Sequence, residues 1–117
     1  MAVTVLAPSE GNFLSAPKSA VVHLEGMRTV VVLDGATDIS ARPSLCDVLS
    51  RVIASGVGDV VIDLAKATLI DTATGRVLAT AQQLLDRHGR RLTFRSPPML
   101  VLRVLDMFGL TGLVETP

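Results

Sequence analysis

The chain has 117 residues, 49% of them hydrophobic and 19% charged, with eleven basic side chains balancing eleven acidic ones. That length is one ordinary domain able to bury a core of its own, and the composition excludes intrinsic disorder. A formal net charge of zero, one cysteine, three phenylalanines and neither tryptophan nor tyrosine argue against nucleic-acid binding, base stacking, a disulfide framework and a cysteine-built zinc site.

Residues 1–18 hold two prolines and little periodicity. They read as an N-terminal arm with a short edge strand near Phe13–Leu14, the domain proper being 19–117. The arm has no basic leader and its apolar stretch is broken at Pro8, unlike a signal peptide. No apolar run approaches the ~20 residues needed to cross a bilayer, so the expected location is the cytoplasm, with no membrane partner. Ala20–Glu25 and Arg28–Asp34 are predicted strands, and the Gly26-Met27 link between them makes an antiparallel hairpin. The unbroken Val30-Val31-Val32-Leu33 run predicts a central strand buried on both faces.

A helix follows over about Ser40–Ser55, with Leu45, Val48, Leu49, Val52 and Ile53 at helical spacing. Asp38 or Ser40 caps it, Pro43 sits in its first turn and Gly56 ends it. Cys46 flanks the apolar stripe and is expected to be buried as a small hydrophobe. Val57–Leu64 reads as a third strand. A second helix, about Thr72–His88, sets Val77, Leu78, Ala81, Leu84 and Leu85 on one face and Arg76, Thr80, Gln83 and Arg87 on the other, and Gly89 stops it. Arg91–Arg95 is a fourth strand, and Ser96-Pro97-Pro98 opens a third helix, Met99–Phe108. Leu110–Glu115 is one helical turn or an edge strand. The order β-β-α-β-α-β-α predicts an α/β sandwich. Its sheet is mostly parallel, four- or five-stranded, with an antiparallel N-terminal hairpin strand and three to four helices.

Two junctions hold the polar residues of interest. In the second, Asp71 is a good helix cap, because its carboxylate accepts orphan backbone N–H groups and matches the positive end of the dipole. Thr72 then presents a hydroxyl in the first turn. Asp71, Thr72 and Thr74 also suit plain capping and first-turn duty. In the first, Asp34 and Asp38 leave a central strand at the end of the sheet where Asp71 lies. A carboxylate cluster there suits a Mg²⁺ ion, a partner's basic residues, or turns and caps. No phosphate loop and no hydrolase elbow occurs, so neither an enzyme nor a cofactor site is indicated. The third helix is apolar nearly all round, only Arg103 and Asp106 being polar, and a second copy or a partner would cover it.

Together these strings resemble the STAS family, the domain shared by sulfate transporters and anti-sigma factor antagonists. The markers are Leu33-Asp34-Gly35-Ala36-Thr37-Asp38, Val61-Ile62-Asp63-Leu64-Ala65, Leu69-Ile70-Asp71-Thr72-Ala73-Thr74-Gly75-Arg76-Val77-Leu78 and Arg103-Val104-Leu105-Asp106-Met107-Phe108-Gly109-Leu110. The resemblance spans about Ala20–Val114. It implies a STAS-like sandwich and a stand-alone anti-sigma factor antagonist, or anti-anti-sigma factor, that regulates transcription by partner switching. Such proteins bind an ATP-binding serine/threonine kinase that is itself the anti-sigma factor, and so release the sigma factor. The kinase phosphorylates a hydroxyl following an Asp at the second helix start, which ends the binding. Family members usually read Asp-Ser-Ser-Gly there. The phosphoacceptor carries over to Thr72, and the partner surface to Asp38, Asp71, Thr72, Thr74 and Arg76. Ala73, Thr74 and Arg76 depart from the family pattern. The alternatives are a ligand- or nucleotide-sensing STAS module and a STAS subunit of a transport complex.

Overall fold

In the computed structural model of the chain, residues 2–5, 20–37, 42–56 and 58–115 are described. Strand β2 (Ala20–Glu25) and strand β3 (Arg28–Leu33) form the hairpin read from the sequence. They pair in antiparallel register from Ala20↔Leu33 to Glu25↔Arg28. Gly26 takes φ 63 in the two-residue link, a conformation that tight hairpin turns require and glycine adopts without steric cost. Strand β1 (Ala2–Val5) lies antiparallel on the outer edge of β2, within the stretch the sequence marks only as an arm. The edge strand expected near Phe13–Leu14 lies outside the described residues.

Beyond β3 the sheet turns parallel. Strand β5 (Val60–Asp63) adds to β3, and β7 (Leu92–Arg95) adds to β5, giving the order β1-β2-β3-β5-β7. The valine run therefore sits in the middle strand, with Val30 and Val31 both 0% exposed. Helix α1 (Arg42–Ser55) links the hairpin to β5, α2 (Thr72–Arg87) links to β7, and α3 (Met99–Met107) follows β7. Their inward residues Leu45, Val48, Leu78, Leu85, Val101 and Leu105 join Val31, Ile62 and Phe94 in one core. Those three strand residues are cross-strand partners, so the helices cover a single face of the sheet. Of the two alternatives for the C-terminal stretch, a helical turn forms and no edge strand is seen among the described residues. Thr111–Leu113 forms a 3₁₀ turn, and Val114 then bridges Phe94 in parallel, with Glu115 N donating to Phe94 O at 2.8 Å.

The structure adds a second, two-stranded parallel sheet. Strand β4 (Gly35–Thr37) pairs with strand β6 (Ala67–Ile70), ending at Thr37↔Ile70. In sequence these segments read as loops. Cys46 differs from its expected burial: it is exposed, because one helical step beyond the buried Leu45 turns it away from the stripe formed with Val48, Leu49 and Val52.

Candidate functional site

Strand β6 ends at buried Ile70, and Asp71 follows in extended conformation, φ −89 and ψ 172, as the cap of α2. Its Oδ1 accepts from Thr74 N at 2.8 Å, and its carbonyl accepts from Gly75 N at 3.0 Å. Thr72, the first helical residue, is exposed. Arg76 is exposed four residues on, the spacing at which helix side chains share a face. Asp71, Thr72 and Arg76 thus meet at one corner. The parallel β4–β6 pair brings the end of β4 beside this corner, since Thr37 opposes Ile70. Asp38, the next residue in sequence, lies outside the described residues, as does Ser40.

Thr74 departs from the expected surface. It is 0% exposed, and its Oγ1 has no hydrogen-bond partner among the described residues. Position 74 falls on the inward stripe with Leu78, Ala81 and Leu85, so its backbone serves the cap while its side chain faces the core. Gly75 is buried as well. A Cβ there would come within 2.6 Å of the Phe108 ring and 3.0 Å of Val104 Cγ1, so the glycine permits close approach of α2 to the α3 end. Asp34 is exposed, and Asp63 is half-buried with its Oδ1 accepting from Ala65 N at 3.0 Å. Among the described residues, no three His, Cys, Asp or Glu side chains are grouped to hold a metal.

Arg90 and Arg95 are engaged within the chain at separate places. Arg90 donates to Gly58 O at 2.8 Å, Ile53 O at 2.8 Å and Val52 O at 3.3 Å, closing the C-terminal end of α1. Arg95 donates to both carboxylate oxygens of Glu25, at 2.9 and 3.0 Å, across the sheet face opposite the helices. There Glu115 accepts from Arg28 at 2.8 Å, Thr93 at 3.0 Å and Arg95 at 3.4 Å. The hydrogen bond from Arg95, then that involving His23, holds the Glu25 carboxyl down at about 2. Burial pushes Glu115 up, but Thr93, Arg28 and Arg95 outweigh it and its net shift is downward. The apolar α3 face remains uncovered in the single chain, Met99, Leu100 and Met107 being exposed. No helix of the described residues is long and apolar enough to cross a membrane.

Strand order, helix placement and a hydroxyl in the first turn of an Asp-capped α2 define a class, and the chain belongs to the STAS domain family. The family described as "Mlab, STAS domain" matches residues 20–115. Among solved structures, an anti-sigma factor antagonist from Mycobacterium paratuberculosis is similar at 19% identity and TM-score 0.76, over 86% of this chain and 87% of that one. The anti-sigma factor antagonist SpoIIAA of Bacillus, in its unphosphorylated form, is similar at 17% identity and TM-score 0.74, over 83% and 86%. A putative anti-sigma factor antagonist from Thermotoga maritima is similar at 16% identity and TM-score 0.72, over 81% and 85%. At such identities the likeness is one of fold. No curated protein sequence matches the chain.

Proposed function

We propose that this STAS domain is an anti-sigma factor antagonist acting in the cytoplasm by contact rather than catalysis, switched by phosphorylation of Thr72. The observation that carries the reading is the exposed Thr72 hydroxyl one residue after the Asp71 cap. The fold of SpoIIAA, similar to this one, is known in unphosphorylated and phosphorylated forms. The partner surface comprises Asp71, Thr72 and Arg76, with Asp38 assigned to it because β4 leads there beside Ile70. Thr74 contributes through the cap alone.

The partner is an ATP-binding serine/threonine kinase that also acts as the anti-sigma factor. It transfers the terminal phosphoryl group of ATP to Thr72 Oγ1, which gives up its proton, and ADP leaves. The new group adds a charge of about −1.5 to −2. The first turn of a helix tolerates an anion, so the domain stays folded. A partner surface fitted to a neutral hydroxyl beside a carboxylate would instead bury an unpaired charge, at a cost of several kcal/mol. Each 1.4 kcal/mol is tenfold in affinity, so binding ends.

The test is affinity capture from a lysate of the source organism with wild-type, Thr72→Glu and Thr72→Ala baits. The expected result is an ATP-binding anti-sigma factor retained by wild type and by Thr72→Ala but not by Thr72→Glu. Equal retention by all three would remove Thr72 as the switch. Transport subunits in place of a kinase would turn the reading to a STAS subunit of a transport complex.

A further inference from the structure

We propose that the groove between α1 and α2 is a docking slot for an amphipathic helix of a partner protein, one that sets apolar residues into the groove and a carboxylate opposite Arg76. The groove encloses about 410 Å³. Leu49 and Ile53 of α1 and Val77, Ala81 and Leu84 of α2 give it an apolar lining, and Arg76 is the one charged residue that lines it among the described residues. Its α2 wall recurs at Ala73, Arg76, Val77, Thr80, Ala81 and Leu84. That is an unbroken stripe of roughly 16 Å at 1.5 Å per residue, about three helical turns.

Several observations select the occupant. Cys46, Ser50, Arg76, Thr80 and Leu84 are all exposed, so the slot is open along its length. Small-molecule sites bury roughly 70–90% of their ligand, which an open slot does not do, whereas a helix covers the stripe with one face and keeps its polar face in water. A second copy of the chain fits poorly. Among the described residues Arg76 is the only charge lining the groove and no carboxylate lines it, so two-fold pairing of the groove offers Arg76 no acid from that lining. We therefore assign the matching acid to a different sequence, and the self-association arm of the test decides against a second copy. The slot begins at Ala73, next to Thr72, and in assigning both to one partner the inference rests on the proposed function.

A displayed library of 16-residue helical peptides, selected on the full chain, tests the assignment. Enriched peptides should carry apolar residues at i, i+3 or i+4, and i+7, together with Asp or Glu. Cys46, the one cysteine of the sequence and a lining residue, reports occupancy. Its modification by an aromatic disulfide reagent should slow at least tenfold with the peptide bound. Leu84→Glu, a change at a partly exposed position, should abolish binding. Arg76→Glu should weaken it at least tenfold and shift selection toward Lys-bearing peptides. Met107→Glu, on α3, should leave it unchanged. Absence of helical enrichment, or binding indifferent to Leu84→Glu, would overturn the proposal. So would dodecanoate shielding Cys46 where peptides do not, or self-association in the ultracentrifuge that Leu84→Glu removes. The selection uses unmodified protein, so it reads the groove separately from the switch. Peptide binding alongside equal capture by the Thr72→Glu bait would leave the groove standing and the switch fallen.

Discussion

On the sheet face turned away from the helices, Arg95 holds both oxygens of Glu25, and Glu115 gathers Arg28, Thr93 and Arg95. At the start of α2, by contrast, Thr72 and Arg76 stand exposed beside the Asp71 cap. On the first face Val30 and Val61 are 0% exposed without belonging to the helix-side core. The ions there act on each other and close a surface. Near α2 the Asp71 carboxylate serves the helix start, and the Thr72 and Arg76 side chains are exposed to solvent. The sequence offers Arg and Asp or Glu in both places; what separates them is whether the register of the sheet brings opposite charges together.

A crossed pair of substitutions breaks this comparison most sharply. Thr72→Glu should lower affinity for the partner at least ~100-fold, the loss of about 2.8 kcal/mol, while leaving Tm nearly unchanged. Arg95→Gln should lower Tm by several degrees and leave affinity within about twofold, since surface contacts far from an interface rarely move it. Titration calorimetry and thermal melts on both variants decide it. If Arg95→Gln weakened binding as strongly as Thr72→Glu, the closed face would be part of the interface.

Gly75→Ala comes next in size. The added methyl meets the Phe108 ring, and overpacking costs about 1–3 kcal/mol, to be read from urea midpoints. Asp71→Ala removes the carboxylate that accepts from Thr74 N and should cost about 1 kcal/mol by the same measurement. Thr74→Val should have the opposite sign. It replaces a buried hydroxyl without a partner among the described residues by an apolar group of similar shape, and a gain of about 1 kcal/mol is expected. A loss would mean that the hydroxyl is engaged in solution.

The smallest effect is the acid limb. The Glu25 carboxyl is held at about 2 against an ordinary 4.5, and Glu115 is shifted in the same direction. Carboxylates depressed in the folded state contribute stability that is complete above their unfolded value and is lost as pH falls through the folded one. The melting temperature should therefore decline from about pH 4.5 toward pH 2. In Arg95→Gln the decline should be shallower, because the group chiefly responsible for the depression is gone.

The hairpin, the parallel strands and three helices were legible because each carries a hydrophobic period or an unbroken apolar run together with its own terminators. Asp71 and Thr72 were legible as a cap and a first-turn hydroxyl, and their meaning came from the resemblance to STAS domains. Two short strands, β4 and β6, were not, since three or four residues hold too little alternation to register a strand. Thr74 misled because a first-turn Thr reads as surface unless its phase with Leu78, Ala81 and Leu85 is followed back along the helix. Cys46 misled in the reverse way, lying beside the stripe and not within it. The α1–α2 groove had a signal, the polar interruptions Ser50, Arg76 and Thr80 within repeating small and apolar positions, but only the packing of two helices reveals it as one surface.

Arg90 carries a consequence for the order in which the chain becomes protected. The α1 carbonyl of Ile53 is held by a guanidinium 37 residues further along, and Val52 and Gly58 depend on the same group. The last turn of α1 therefore completes its bonding only after α2 has formed and the approach to β7 has come back beside it. Because non-local closures of this kind come late and dissolve with the whole, hydrogen exchange in that turn should follow global unfolding.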